Sequence, residues 1–243
     1  MALTKMTSAA LRRTAREVKR YRIYKKLVPL CIGMAILVIV VAYVVSSLYM
    51  KFGAFTVMVD KFDHVDYALT LSESPNFDMN TSRLNAEIFQ EVTNIDGDTI
   101  PSYVDNIDGP HNEDNFAAYT FYCKNAGSST VTYSYEVYIA NMTSDIEKAI
   151  RIRLYVNGEY NDYAYPRTDG IEGPEPGTVA FQSATTVVKK NITDFKPGDI
   201  TKYTVVIWIE GNDPECLDRI LGGEFKVDMA MKIVSVDNPA DVV

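Results

Sequence analysis

Val131-Thr132-Tyr133-Ser134-Tyr135-Glu136-Val137-Tyr138-Ile139 is the stretch that decides the fold. Every odd-numbered position is apolar or aromatic, while Thr, Ser, Glu and Tyr stand between them. In an extended chain successive side chains point to opposite faces, so this alternation describes a strand with one buried face. A helix would need its apolar residues at spacings of three and four instead.

The same chemistry recurs on both sides of this stretch. Segments 54–59, 67–71, 116–124, 150–156, 202–210 and 224–236 are rich in β-branched and aromatic residues, which suit a pleated, half-buried surface. Between them stand turn formers such as Asn125-Ala126-Gly127, Asn157-Gly158 and Lys196-Pro197-Gly198-Asp199. Many strands and no long helical pattern imply a mainly β domain, an antiparallel β-sandwich or jelly roll. Within Ala118-Tyr119-Thr120-Phe121-Tyr122 aromatics fall on both faces, so core is expected under one face and a packed loop over the other, in preference to a ligand platform. Two short helices are expected. One covers 144–148; the other covers 213–222, with Asp213 as N-cap, Pro214 at the first helical position and Gly222 as terminator. Residues 160–178 and the tail 237–243 carry the least structural signal.

Toward the N-terminus the composition changes abruptly. Residues 27–50 hold no Asp, Glu, Lys, Arg or His, and 24 residues at 1.5 Å each give about 36 Å, enough to cross a hydrocarbon core. Before them, residues 1–26 carry nine Lys and Arg against Glu17 alone. The positive-inside rule keeps such a segment in the cytoplasm. The expectation is a cell-membrane protein with an uncleaved signal-anchor over 27–50, a basic cytoplasmic tail over 1–26 and an extracellular domain over 51–236. A cleaved signal peptide is the competing reading, but the run is long for one and ends without a good small-x-small site. Beyond residue 50 lie 15 of the 24 basic and 31 of the 32 acidic residues, a balance of −16. That charge repels nucleic acid and anionic lipid, which are not expected as partners.

The candidate chemistry is sparse. Asn-Ile-Asp-Gly occurs twice, at 94–97 and 106–109. Around these repeats Asp96, Asp98, Asp105, Asp108, Glu113 and Asp114 offer oxygens suited to Ca²⁺, without the EF-hand spacing; turns in an acidic exposed loop explain the same residues with no metal. Cys123 and Cys216 are a candidate disulfide if the domain is outside the cell, and two free thiols otherwise. Cys216, in the first turn of the expected second helix, lacks a neighbouring His to activate it. The two histidines, His64 and His111, are too few for a His-rich zinc site, and no H-E-x-x-H, G-x-S-x-G or P-loop is present. No catalytic residue is assigned, and no cofactor is expected apart from the possible Ca²⁺.

Three segments resemble the TasA/camelysin type of bacterial surface protein: Asp114-Asn115-Phe116-Ala117-Ala118-Tyr119-Thr120-Phe121-Tyr122-Cys123-Lys124-Asn125-Ala126-Gly127, Ala149-Ile150-Arg151-Ile152-Arg153, and Lys202-Tyr203-Thr204-Val205-Val206-Ile207-Trp208-Ile209-Glu210-Gly211. The resemblance implies a jelly roll exported by Gram-positive bacteria, with members that build biofilm-matrix fibres when one subunit's N-terminal strand completes the next subunit's sheet. It also implies, for camelysin members, metalloprotease activity that no zinc motif here would receive. The chain departs from the matrix subunits in keeping its anchor. The expected function is therefore non-catalytic: a membrane-anchored surface, adhesion or matrix-associated protein, whose partners are other surface or matrix proteins or a second copy through strand addition. The alternative is a Ca²⁺-dependent or carbohydrate-binding module on the same fold, and an extracellular hydrolase comes third.

Overall fold

The computed structural model describes residues 20, 25, 27–44, 54–60, 69–87, 93–167, 170–171 and 173–237. The chain separates into two units, Met1–Tyr49 and Met50–Val243. In the first, the described residues Leu27–Val44 are helical throughout, with mean hydropathy 2.8 and none of them buried. Apolar side chains face outward all round it, Leu30, Leu37 and Ile39 among them. A helix with no polar face is a candidate membrane span. Most of the basic tail, residues 45–50, His64 and residues 238–243 lie outside the described residues.

The second unit is mainly β. Its described strands are β1 (Ala54–Val59), β2 (Leu69–Ser72), β3 (Arg83–Glu87), β4 (Gly109–Pro110), β5 (Phe116–Asn125), β6 (Thr130–Met142), β7 (Ile150–Val156), β8 (Glu159–Ala164), β9 (Val179–Ala180), β10 (Thr186–Phe195), β11 (Ile200–Ile209) and β12 (Phe225–Asp237). They form two sheets. One has the order β10-β6-β12-β1-β3; the other runs β2-β5-β11-β7-β8-β9, with β4 beside β5. The expectation of antiparallel pairing throughout is corrected at two places, because β1 runs parallel to β12 and β8 parallel to β9. The sheets are mixed. A parallel neighbour requires a long connection, and β1 and β12 lie at opposite ends of the unit's sequence.

The alternation in β6 becomes burial. Val131, Tyr133, Tyr135, Val137 and Ile139 are all in the core. They meet the other sheet's inward residues: the Tyr133 and Tyr203 hydroxyls lie 2.8 Å apart, and the Tyr135 and Tyr203 rings meet edge to face at 5.4 Å. Phe55 of β1 packs on Tyr119 of β5 at 5.7 Å. Each tyrosine thus brings a large apolar area into the core, and the shared hydroxyl contact satisfies the polar ends of Tyr133 and Tyr203.

The second expected helix is also corrected. Within 213–222 only Asp218–Ile220 is helical, as one 3₁₀ turn, and Leu217 before it is extended. Asp213 accepts from the Glu215 amide at 2.7 Å in a local turn, and its carboxylate is committed to Arg151. Gly222 does take the left-handed conformation, with φ 74°. The first expected helix is a single 3₁₀ turn, Ile146–Lys148.

The two sheets differ on their outer faces. That of the first is polar, with Glu136 paired to Lys189 and Asp228 to Lys226. That of the second is covered: Ile100 and Val104 pack on Phe116, Ala118, Tyr155, Val206 and Trp208 as a separate apolar cluster. The cover is the acidic segment 93–115, which is therefore a strap and not a free loop. The expectation of a packed loop over the second face of 118–122 matches this arrangement.

Candidate functional site

The strap is fastened at four points. At its start Ile95 bridges to Glu210, its amide donating to the Ile209 carbonyl at 2.9 Å and its carbonyl accepting from Gly211 at 2.9 Å. Next, Glu210 Oε2 accepts from the Gly97 amide at 3.1 Å and from Trp208 Nε1 at 3.0 Å. Gly97 is required there, because a Cβ would stand 2.9 Å from Trp208 Cζ2. Third, Asp105 Oδ1 accepts from Thr204 Oγ1 at 2.6 Å while Oδ2 lies 3.2 Å from Lys202 Nζ, which also donates to the Asp105 carbonyl. Finally, Asp108 Oδ1 accepts from the Tyr122 hydroxyl at 2.5 Å, and the ring nitrogens of His111 each lie 2.8 Å from a carbonyl oxygen, those of Gly109 and Val104.

These contacts place the six expected Ca²⁺ ligands. Asp96 accepts from the Asp98 amide at 3.0 Å and from Asn212 Nδ2 at 2.8 Å; Asp105 and Asp108 hold the strap to β11 and β5. Asp98, Glu113 and Asp114 are exposed, and the backbone of Asp114 accepts from the Thr93 amide at 3.2 Å. No three of the six bring ligand atoms together among the described residues. The group that does so is Glu175, Asp213 and Glu215, whose ligand oxygens lie within 4.8 Å of one another.

Two of those carboxylates, Asp213 and Glu175, face a buried cation. Arg151 on β7 is bonded through Nη2 to Asp213, lies 3.8 Å from Glu175, and donates through Nη1 to the carbonyls of Lys148 and Ile150. Two residues along the same face, Arg153 makes a two-point pair with Asp162, at 2.6 and 2.9 Å, and lies over the Tyr160 and Trp208 rings. Burial works against the Arg153 charge, but the Asp162 pair outweighs it and the guanidinium is held above its ordinary range. The sequence carried a signal for this cluster in Ile150-Arg151-Ile152-Arg153, where alternation puts two arginines on a strand face. Asp213 lies 62 residues from Arg151, and Asp162, nine residues from Arg153, stands in a stretch with little strand pattern of its own, so pattern alone could not supply the partners.

Tyrosine hydroxyls elsewhere in the fold are held protonated. Burial first, then the bond to Glu73 at 2.6 Å, raises Tyr119; burial and Asp108 likewise raise Tyr122. Neither is poised as a base or nucleophile at neutral pH.

Cys123 and Cys216 are both free thiols. Cys123 faces the core opposite Thr201 near the start of β11, while the Cys216 amide bonds to Asp213 in the loop that follows β11. Nearly the whole of β11 separates them, roughly 26 Å at 3.3 Å per residue, and a disulfide needs Cα atoms within about 7 Å. Burial pushes the Cys123 thiol up to about 12.

No family model and no curated protein matches the chain. Among solved structures, one described as "AvmM Catalyzes Macrocyclization in Alchivemycin A Biosynthesis" aligns with 76% of this chain and 98% of its own, at 9% identity and a TM-score of 0.25, which bears on neither fold nor function.

Proposed function

We propose that the chain is a single-pass membrane protein, N-terminus inside, that displays an acidic extracellular β-sandwich of jelly-roll type as a non-catalytic surface, adhesion or matrix-associated module. One observation carries the reading. Strand β1 is the first strand after the apolar helix in sequence, and it lies between β12 and β3 inside its own sheet, with Phe55 and Val57 fully buried. The strand nearest the anchor is thus already paired on both edges. Donation of that strand to a second copy would have to break both pairings, which favours display of an anchored unit over fibre assembly.

The strand order supports the jelly-roll assignment: β10-β6-β12 in one sheet and β5-β11-β7-β8 in the other alternate in sequence as two interleaved Greek keys do. Labelling intact cells with a membrane-impermeant amine reagent tests the topology. Lys189, Lys190 and Lys196, exposed on β10 and the turn after it, should react, and Lys5, Lys19, Lys25 and Lys26 should not. Labelling of the tail lysines in intact cells would contradict the orientation. A cation-dependent module is the second reading. It rests on Glu175, Asp213 and Glu215 and no longer on the strap.

A further inference from the structure

We propose that His111 is a pH-sensitive latch on the strap: the doubly protonated ring holds the turn at Val104–Asn106 down, and loss of one ring proton releases it. Nδ1 lies 2.8 Å from the Gly109 carbonyl oxygen and Nε2 2.8 Å from that of Val104. A carbonyl oxygen can only accept, so each contact is a hydrogen bond only when its nitrogen carries a proton. The neutral ring has one N–H, and its bare nitrogen would face a carbonyl lone pair at the same distance. Only the imidazolium satisfies both contacts.

The ring joins a fixed part of the strap to a covering part. Gly109 and Pro110 pair with Thr120 and Tyr119 of β5, and the His111 amide donates to the Ala118 carbonyl at 3.0 Å. Val104 belongs to the turn whose apolar side chain packs with Phe116, Ala118, Tyr155, Val206 and Trp208. The bond from Nε2 therefore ties the covering turn to a segment already paired with the sheet. His111 is half-buried, so its ring exchanges protons with solvent. The charged and titratable groups around it have other partners: Asp105 is held by Thr204 and Lys202 of β11, Asp108 by Tyr122 of β5, and Glu73, after β2, accepts from Tyr119. Glu113 is exposed. Among the described residues none of these pairs with the ring. Fastening is thus complete on the acid side and is lost as pH rises through the range, around 6.5, in which imidazole ordinarily gives up its proton.

The test is amide hydrogen exchange of the full chain in detergent micelles, read by NMR between about pH 5.5 and 8, above the ordinary carboxylate range so that Asp105 and Asp108 stay charged. The Asn106 amide, which donates to the Tyr103 carbonyl at 2.8 Å, reports the turn. With rates corrected for intrinsic base catalysis, its protection should fall about fivefold across that range, the effect of one net hydrogen bond. His111→Gln, which keeps a donor that does not titrate, should abolish the fall, and His64→Gln should preserve it. Constant protection in the wild-type chain, or an equal fall in His111→Gln, overturns the proposal. A second reading needs no variant. In the wild-type chain the carbonyl carbon resonance of Val104 or Gly109 should move together with the ring resonances of His111 as pH rises, and movement at neither overturns the latch.

Discussion

Gly97 and Trp208 meet where the strap crosses β11, and the contact leaves no room for a methyl group. Gly97→Ala should cost about 1–3 kcal/mol, the usual range for forcing extra volume into a packed site. Trp208 is the only tryptophan in the chain, so its emission should shift red as the strap lifts. An unchanged midpoint with unchanged emission would contradict the packing. Cys123 gives a second prediction. Held protonated by burial, at about 12, it should resist a maleimide in the folded protein and react only in denaturant, while half-buried Cys216 reacts first. Mass spectrometry without reductant should find no bond between the two, and a crosslinked peptide would overturn their placement. These contacts also show the limit of reading ligands from composition. Asp96, Asp105 and Asp108 had the right oxygens for a hard cation, but Asn212, Lys202, Thr204 and Tyr122 lie distant in sequence and take them as hydrogen-bond acceptors.

Among the elements, β7 carries the most exacting electrostatics. Asp213→Ala removes the bonded partner of buried Arg151 and should destabilise the fold by about 3–5 kcal/mol, whereas replacing the pair together, Arg151→Met with Asp213→Leu, should cost much less when both are compared in a Glu175→Gln background, because no buried charge of this group is then left without a partner. Equal losses in the single and double variants would show that the pair matters only as packing. Arg151 already supplies counter-charge to Glu175 and Asp213, so excess EDTA should leave the thermal midpoint of the domain unchanged; a fall would favour the cation-dependent reading. Legibility of the strands followed the same division between local pattern and distant partner. The segments 54–59, 116–124, 130–139, 150–156, 202–210 and 224–236 fall almost wholly on strands, since each is rich in the β-branched and aromatic residues that suit a pleated, buried surface. Strand β10 escaped because Lys189, Lys190 and Asn191 interrupt the pattern, and they do so because β10 is a sheet edge where charge opposes unwanted pairing. Strand β8, Glu-Tyr-Asn-Asp-Tyr-Ala, was hidden by its exposed face, and its role depends on Asp162 meeting Arg153. The failed helix at 213–222 had a cap and a terminator in sequence, but Asp213 was needed by Arg151.

Over the whole molecule, the division of charge along the sequence coincides with a division of structure. An apolar helix near a basic terminus is followed in sequence by a strand paired on both edges within its own sheet, and the rest of the chain is an acidic β unit whose second face is closed by the strap. We propose that these stay one anchored polypeptide. It is tested most directly by the N-terminus of the protein recovered from cells. The membrane fraction, after an alkaline wash, should yield a chain in which residues 1–50 remain joined to the β unit. A chain beginning near Gly53 and released to the medium would contradict it, leaving β1 at a free end and restoring strand donation between copies.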